Sequence, residues 1–176
     1  TVGTKGDQAV LLKLGLFFGE NWPIGSGTVR HHTFKSITDG TTTTVMIGEN
    51  VRAGFDPKFN TTWATPDVER QSFIISPYVC DSFSCSVGNV NYARANDRSA
   101  LPFKLQAINS SLTQPEGEAP WPSSYHDGGV NFVFCDGHVK FVSDNIAGAV
   151  YAAIVSPQGN SVGGALKQGL ITGGEY

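Results

Sequence analysis

Gly129-Val-Asn-Phe-Val-Phe-Cys-Asp-Gly-His-Val-Lys-Phe-Val-Ser143 holds two apolar-rich runs either side of Asp136-Gly137. Val and Phe suit a pleated surface, and Asp-Gly is a preferred pair for a two-residue type I′ turn, so the stretch predicts a β-hairpin. That turn sets Cys135 opposite His138, Phe134 opposite Val139, Val133 opposite Lys140 and Phe132 opposite Phe141. Phe132, Phe134, Val139 and Phe141 are then expected on one core-facing side. Asn131, Val133, Cys135, His138 and Lys140 fall on a mixed side.

Downstream, Asp144 stands as an N-cap before Asn145–Ile154, where Ile146, Val150 and Ile154 recur along one helical stripe. Gly148 weakens that helix by about 1 kcal/mol relative to Ala. The tail over about 156–176 carries six Gly and reads as irregular, with Ala165–Ile171 able to pack. Upstream, Ala9–Phe18, Thr28–Phe34, Thr43–Glu49 and Gln71–Val79 read as extended, and Asp39-Gly40 is a turn signal. The stretch over about 50–125 is predicted to be an irregular insertion, broken by Pro102, Pro115, Pro120 and Pro122 in its second half. The fold class expected is α+β, mainly antiparallel β-sheet with a short C-terminal helix, in a single domain over 1–176.

Composition agrees with β-structure rich in turns: charged residues make up only 15% of the chain, and there are 21 Gly among 176 residues. A net charge of −3 with scattered lysines argues against a nucleic-acid partner. No run of 18 apolar residues is present, so no membrane span is expected. Cys80 and Cys85 could close a small disulfide loop in an oxidising setting, or act as two metal ligands without a second pair to accompany them. Cys135, inside an apolar strand, reads as a small buried residue.

His126, nine residues, and then Asp136-Gly137 form an H-X9-DG pattern. With its surroundings, Ser124–Ser143, it resembles the closing hairpin of a prepilin-like family abundant in planctomycetes, of the DUF1559 type. Ile37-Thr-Asp-Gly-Thr-Thr-Thr-Thr-Val-Met-Ile-Gly-Glu49 is similar to that family's other recurrent segment, and Thr172-Gly-Gly-Glu175 to its usual ending. The resemblance implies a pilin-like, β-rich globular domain of an exported bacterial protein, extracellular or at the cell surface. Family members typically begin with a leader and a hydrophobic helix. This chain opens at Thr1 without one, as expected of a processed protein or of a relative lacking the helix.

His126 and Asp136 invite a metal-binding or acid–base reading. Nine extended residues span about 30 Å, however, so each is expected to have a local role: Asp136 in the turn, His126 as an anchor through a side-chain hydrogen bond. His31 and His32 point to opposite faces of a strand. No Gly-x-Ser-x-Gly elbow is present, and no enzymatic activity or cofactor is expected. Loop carboxylates could hold calcium, though without EF-hand spacing, and the sequence leaves the identity of any metal open. The function expected is a structural subunit that self-assembles into a fibre, tube or surface layer, hence a homo-oligomer or polymer. The alternative is a binding module for carbohydrate or another surface ligand, with Trp63 and Trp121 as stacking platforms.

Overall fold

The computed structural model describes residue 16 and residues 32–53, 90–99, 103–115, 119 and 121–176. Its centre is an antiparallel sheet of three strands in the order β1 (Val45–Gly48), β2 (Gly129–Phe134) and β3 (Val139–Ser143). One helical turn, α1 (Phe103–Gln106), precedes the hairpin, and helix α2 (Gly148–Val155) follows it. The architecture is therefore α+β and β-dominated.

The hairpin forms where the sequence places it, but in a different register. Val133 pairs with Val139, Phe132 with Lys140, Asn131 with Phe141 and Val130 with Val142. The Phe134 N–H donates to the His138 carbonyl at 2.9 Å, and the Gly137 N–H to the Phe134 carbonyl at 2.9 Å. The loop is thus Cys135-Asp136-Gly137, three residues long. Gly137 takes φ 92° while Asp136 stays out of the left-handed region. A type I′ turn needs positive φ at both central residues; a three-residue loop needs it only at the glycine.

One residue of slip moves a strand's side chains to the opposite face. Val142, not Phe141, enters the core, fully buried beside Val130, Phe132 and Phe134. Val139 is 63% exposed and Phe141 44%, so the expectation that both are core residues is corrected. The Phe141 ring lies over Gly129, where an added Cβ would come within 2.8 Å of it. It covers a stretch of backbone with no side chain of its own.

A bulge between Val45 and Ile47 sets the third strand. Val45 faces the core opposite Phe134, and after the extra residue Ile47 stands opposite Val133 on the outer side, 55% exposed. The expected strand over Thr28–Phe34 does not extend to its end: Phe34 starts a 3-10 turn, Phe34–Ser36.

The core-facing side of the sheet packs against α2, whose Tyr151, Ala152 and Ile154 join the cluster with Ala95 and Ile108. Fully burying a Val or Phe side chain contributes roughly 1.5–3 kcal/mol, so this layer is the main source of stability in the described region. The helix begins later than expected. Ala147 is its N-cap, without a side-chain bond, and Asp144 instead pairs with Arg98 at 3.0 Å.

The segment that looked aperiodic supplies the second layer. Tyr92–Asn96 forms a 3-10 helix that packs on α2, and the buried Asn96 ties three strands of backbone together. Its Nδ2 donates to the carbonyls of Asp144 and Ile146 at 2.8 and 2.9 Å, and its Oδ1 accepts the Ile108 N–H at 3.0 Å. Asn109, the one described non-glycine residue at positive φ (58°), performs a similar task. Its amide donates to the Gly129 carbonyl and accepts the Ser124 N–H.

Candidate functional site

Three sequence segments converge on the hairpin: Ile37–Glu49, Ser124–Ser143 and the final Thr172–Tyr176. At the tip, the Cys135 N–H donates to the Thr44 carbonyl at 2.8 Å and the Asp136 N–H to the Thr41 carbonyl at 3.2 Å. The threonine-rich loop is itself wound tightly. Thr43 and Thr44 hydroxyls donate back to the carbonyls of Asp39 and Gly40, and Gly40 takes φ 105°. Asp39 accepts the Asn160 N–H, fastening this turn to the segment after α2. Burial pushes its carboxyl above the ordinary carboxylate range, more than these bonds lower it.

His126 and Asp136 do not meet; each has another partner. His126 Nε2 lies 3.3 Å from Glu49 Oε1. The Glu49 carboxylate also accepts the Asn131 N–H at 2.8 Å and the Asn131 side-chain amide at 3.2 Å. The His126 backbone is held by the Ser124 hydroxyl, which accepts its N–H while donating to the Gly129 carbonyl. His126 therefore fastens the start of the hairpin to the end of β1. The contact is partly exposed and contributes at most about 1 kcal/mol; the bonds from Asn131 carry the geometry.

Asp136 works inside the turn. Its Oδ1 accepts the His138 N–H at 3.1 Å and lies 2.6 Å from His138 Nδ1. These contacts, the backbone bond first, hold its carboxyl below the usual range. His138 stacks on Phe134 with ring centroids 4.5 Å apart. Phe134 also stacks on Tyr176 at 5.3 Å, and the Tyr176 hydroxyl donates to the Thr42 carbonyl. Lys140 closes this corner, its Nζ donating to the Gly173 carbonyl at 2.9 Å and sitting 4.2 Å from the Tyr176 ring centroid.

Glu49 was not singled out as a site residue on sequence grounds. The signal available was its position as the last residue of a recurrent segment, but only the fold shows which histidine it meets. Among the described residues no group of three His, Cys, Asp or Glu side chains is placed to hold a metal ion. Trp121 is half-buried, whereas Trp63, Cys80 and Cys85 lie outside the described residues. No described helix is long and apolar enough to cross a membrane.

Cys135 is a free thiol, 5% exposed, and burial, with the Asp136 carboxylate second, pushes its pKa from 9.0 up to about 11. A thiol whose folded pKa is raised stabilises the fold fully below the unfolded value, and that stability is lost as pH rises through the folded one. Cys135 is therefore expected to contribute roughly 2–3 kcal/mol to the fall in unfolding free energy between pH 8 and pH 12, alongside the buried Tyr151, whose pKa burial also raises. Urea titrations of Cys135→Ala should lack this component. An identical alkaline loss in that variant would assign the effect elsewhere.

No curated protein and no solved structure matches the chain. Residues 10–149, most of the chain, match the family described as "Protein of unknown function (DUF1559)". The match takes in both the Ile37–Glu49 segment and the hairpin whose contacts are described above. The chain belongs to that family.

Proposed function

We propose that this protein is a non-enzymatic, exported structural subunit, pilin-like in its globular part, that self-associates into an extracellular fibre, tube or surface layer. One observation carries the reading: among the described residues the outer face of the sheet, beside the polar Asn131–Glu49–His126 group, carries an exposed apolar row. Ile47, Val133 and Val139 form a row across all three strands, with Phe141 beside it. Ile47, Val139 and Phe141 are 55%, 63% and 44% exposed. Large apolar side chains grouped on one face are costly for a monomer and useful in an assembly. The hairpin residues His126, Asp136 and Gly137 are, in this reading, the parts that hold that face flat and in register.

Multi-angle light scattering over a wide concentration range, with electron microscopy of the concentrated sample, tests it. Mass rising with concentration, and ordered assemblies on the grids, are expected. A single monomeric species across all concentrations, salts and calcium levels would remove the proposal.

A further inference from the structure

The edge of β3 carries a second consequence of the hairpin register. The bonded pairs at its two ends are Phe134 with His138, and Gly128 with Asp144, whose N–H donates at 2.8 Å. Antiparallel pairing alternates, so Phe132/Lys140 and Val130/Val142 are the bonded pairs between them. Val139, Phe141 and Ser143 consequently turn their N–H and C=O groups away from β2. β3 is the last strand of the sheet, and no described backbone group bonds to Val139 or Phe141 on that side.

Free edges are ordinarily guarded by a charge, a proline, a bulge or a covering segment. The one charged side chain in β3 is Lys140. Its ammonium is drawn to the Gly173 carbonyl and the Tyr176 ring, on the side of the sheet away from Val139 and Phe141. Among the described residues, no charge, proline, bulge or covering segment guards the edge at Val139 and Phe141.

We propose that β3 pairs antiparallel with β3 of a second copy, about a two-fold axis at Phe141. The inference rests on the self-associating reading above and names its contact. In this register Phe141 lies opposite its counterpart with their outward-pointing groups bonded, and Val139 opposite Ser143 of the second copy, whose N–H points outward and whose carbonyl also accepts the Ile146 N–H at 3.1 Å. Charge favours the same alignment. The register brings the hairpin tip, with the partly exposed Asp136 carboxylate that bonds His138, to the end of the other strand, where the partly exposed Arg98 guanidinium sits on Asp144. The two-fold repeats that acid–base match at both ends and places no like charges opposite each other along the strand.

Residue-resolved amide hydrogen exchange at several protein concentrations tests this, with Phe141→Lys and Ile47→Lys alongside. Phe141→Lys sets two ammonium groups face to face on the axis. Ile47→Lys makes the same kind of change on the same face, but two strands from the edge. Protection of the Val139 and Phe141 amides should rise at least tenfold with concentration in the unaltered chain and in Ile47→Lys, and not in Phe141→Lys. Retained protection of the inward Lys140 and Val142 amides shows that the variant is folded; where it is lost, Val139→Lys decides. An oligomer whose Val139 and Phe141 amides exchange freely overturns the edge pairing and leaves self-association standing. A monomer at every concentration overturns both. Protection independent of concentration means that the chain covers its own edge, and overturns the pairing.

Discussion

Replacing Gly148 by Ala is expected to lower the free energy of unfolding by about 2 kcal/mol, although Ala is the better helix former. Two effects oppose each other. Inside a helix, Ala gains up to about 1 kcal/mol over Gly, because less backbone entropy is lost on folding. Here, however, a Cβ on Gly148 would lie 2.2 Å from the Ala93 carbonyl oxygen, 2.7 Å from its carbon and 2.9 Å from the Tyr92 oxygen. All three obstacles are backbone, so no rotamer change relieves them. The Tyr92–Asn96 helix and α2 must move apart, loosening Ala95 from Ala152 and Ile154 and straining the Asn96 bonds. Overpacking of this kind costs about 1–3 kcal/mol or more, so the collision outweighs the propensity. Urea denaturation reads the result, and a midpoint equal to or above that of the unaltered protein would show that the two helices do not touch there.

Asn96→Ala is expected to cost more, roughly 3–5 kcal/mol, because three buried groups lose their partner together. The Asp144 and Ile146 carbonyls and the Ile108 N–H all terminate on this one side chain. Ile108 is fully buried, and Ile146 and Asp144 are 7% and 9% exposed, so little water can replace the lost bonds. Each unsatisfied buried group costs about 1–3 kcal/mol. Asn96→Asp separates this account from simple loss of volume. It keeps the acceptor for Ile108, but turns the donor into a carboxylate oxygen facing two carbonyls. That variant should be at least as unstable as Asn96→Ala near neutral pH, and should recover on acidification as the acid gains a donor proton. If Asn96→Ala melts like the unaltered protein, the three-way tie is unimportant.

Both predictions concern positions at which local sequence reading misleads. Gly148 looks like a flaw in an amphipathic helix, and Asn96 sits in a stretch without periodicity. Their roles depend on contacts between the 3-10 helix at Tyr92–Asn96 and a helix about fifty residues later, which no window of neighbouring residues records. The same holds for His126. Its spacing from Asp136 is conspicuous in the sequence, yet the carboxylate that it meets belongs to Glu49, just past the end of β1.

What the sequence determined by itself is local. Alternating Val and Phe either side of Asp136-Gly137 require two strands and a turn, and the β-branched run ending at Gly48 requires a third strand. The H-X9-DG pattern and its companion segments resemble one family, to which the chain belongs. Asp144, by contrast, looked like a helix cap on local chemistry, and the fold spends its carboxylate on Arg98.

Only the tertiary structure decided the register of the hairpin. Asp-Gly suits a two-residue loop and a three-residue loop alike, and either register offers β3 apolar residues to bury. The choice is made by groups outside the hairpin. The Thr41 and Thr44 carbonyls bind the tip, Tyr176 stacks on Phe134 with Lys140 beside it, and the main chain of Asp144 pairs with Gly128. Together these hold Val142 inward and leave Val139 and Phe141 on the open face. A side chain's face follows from pairing across strands, and pairing is a property of the assembled fold.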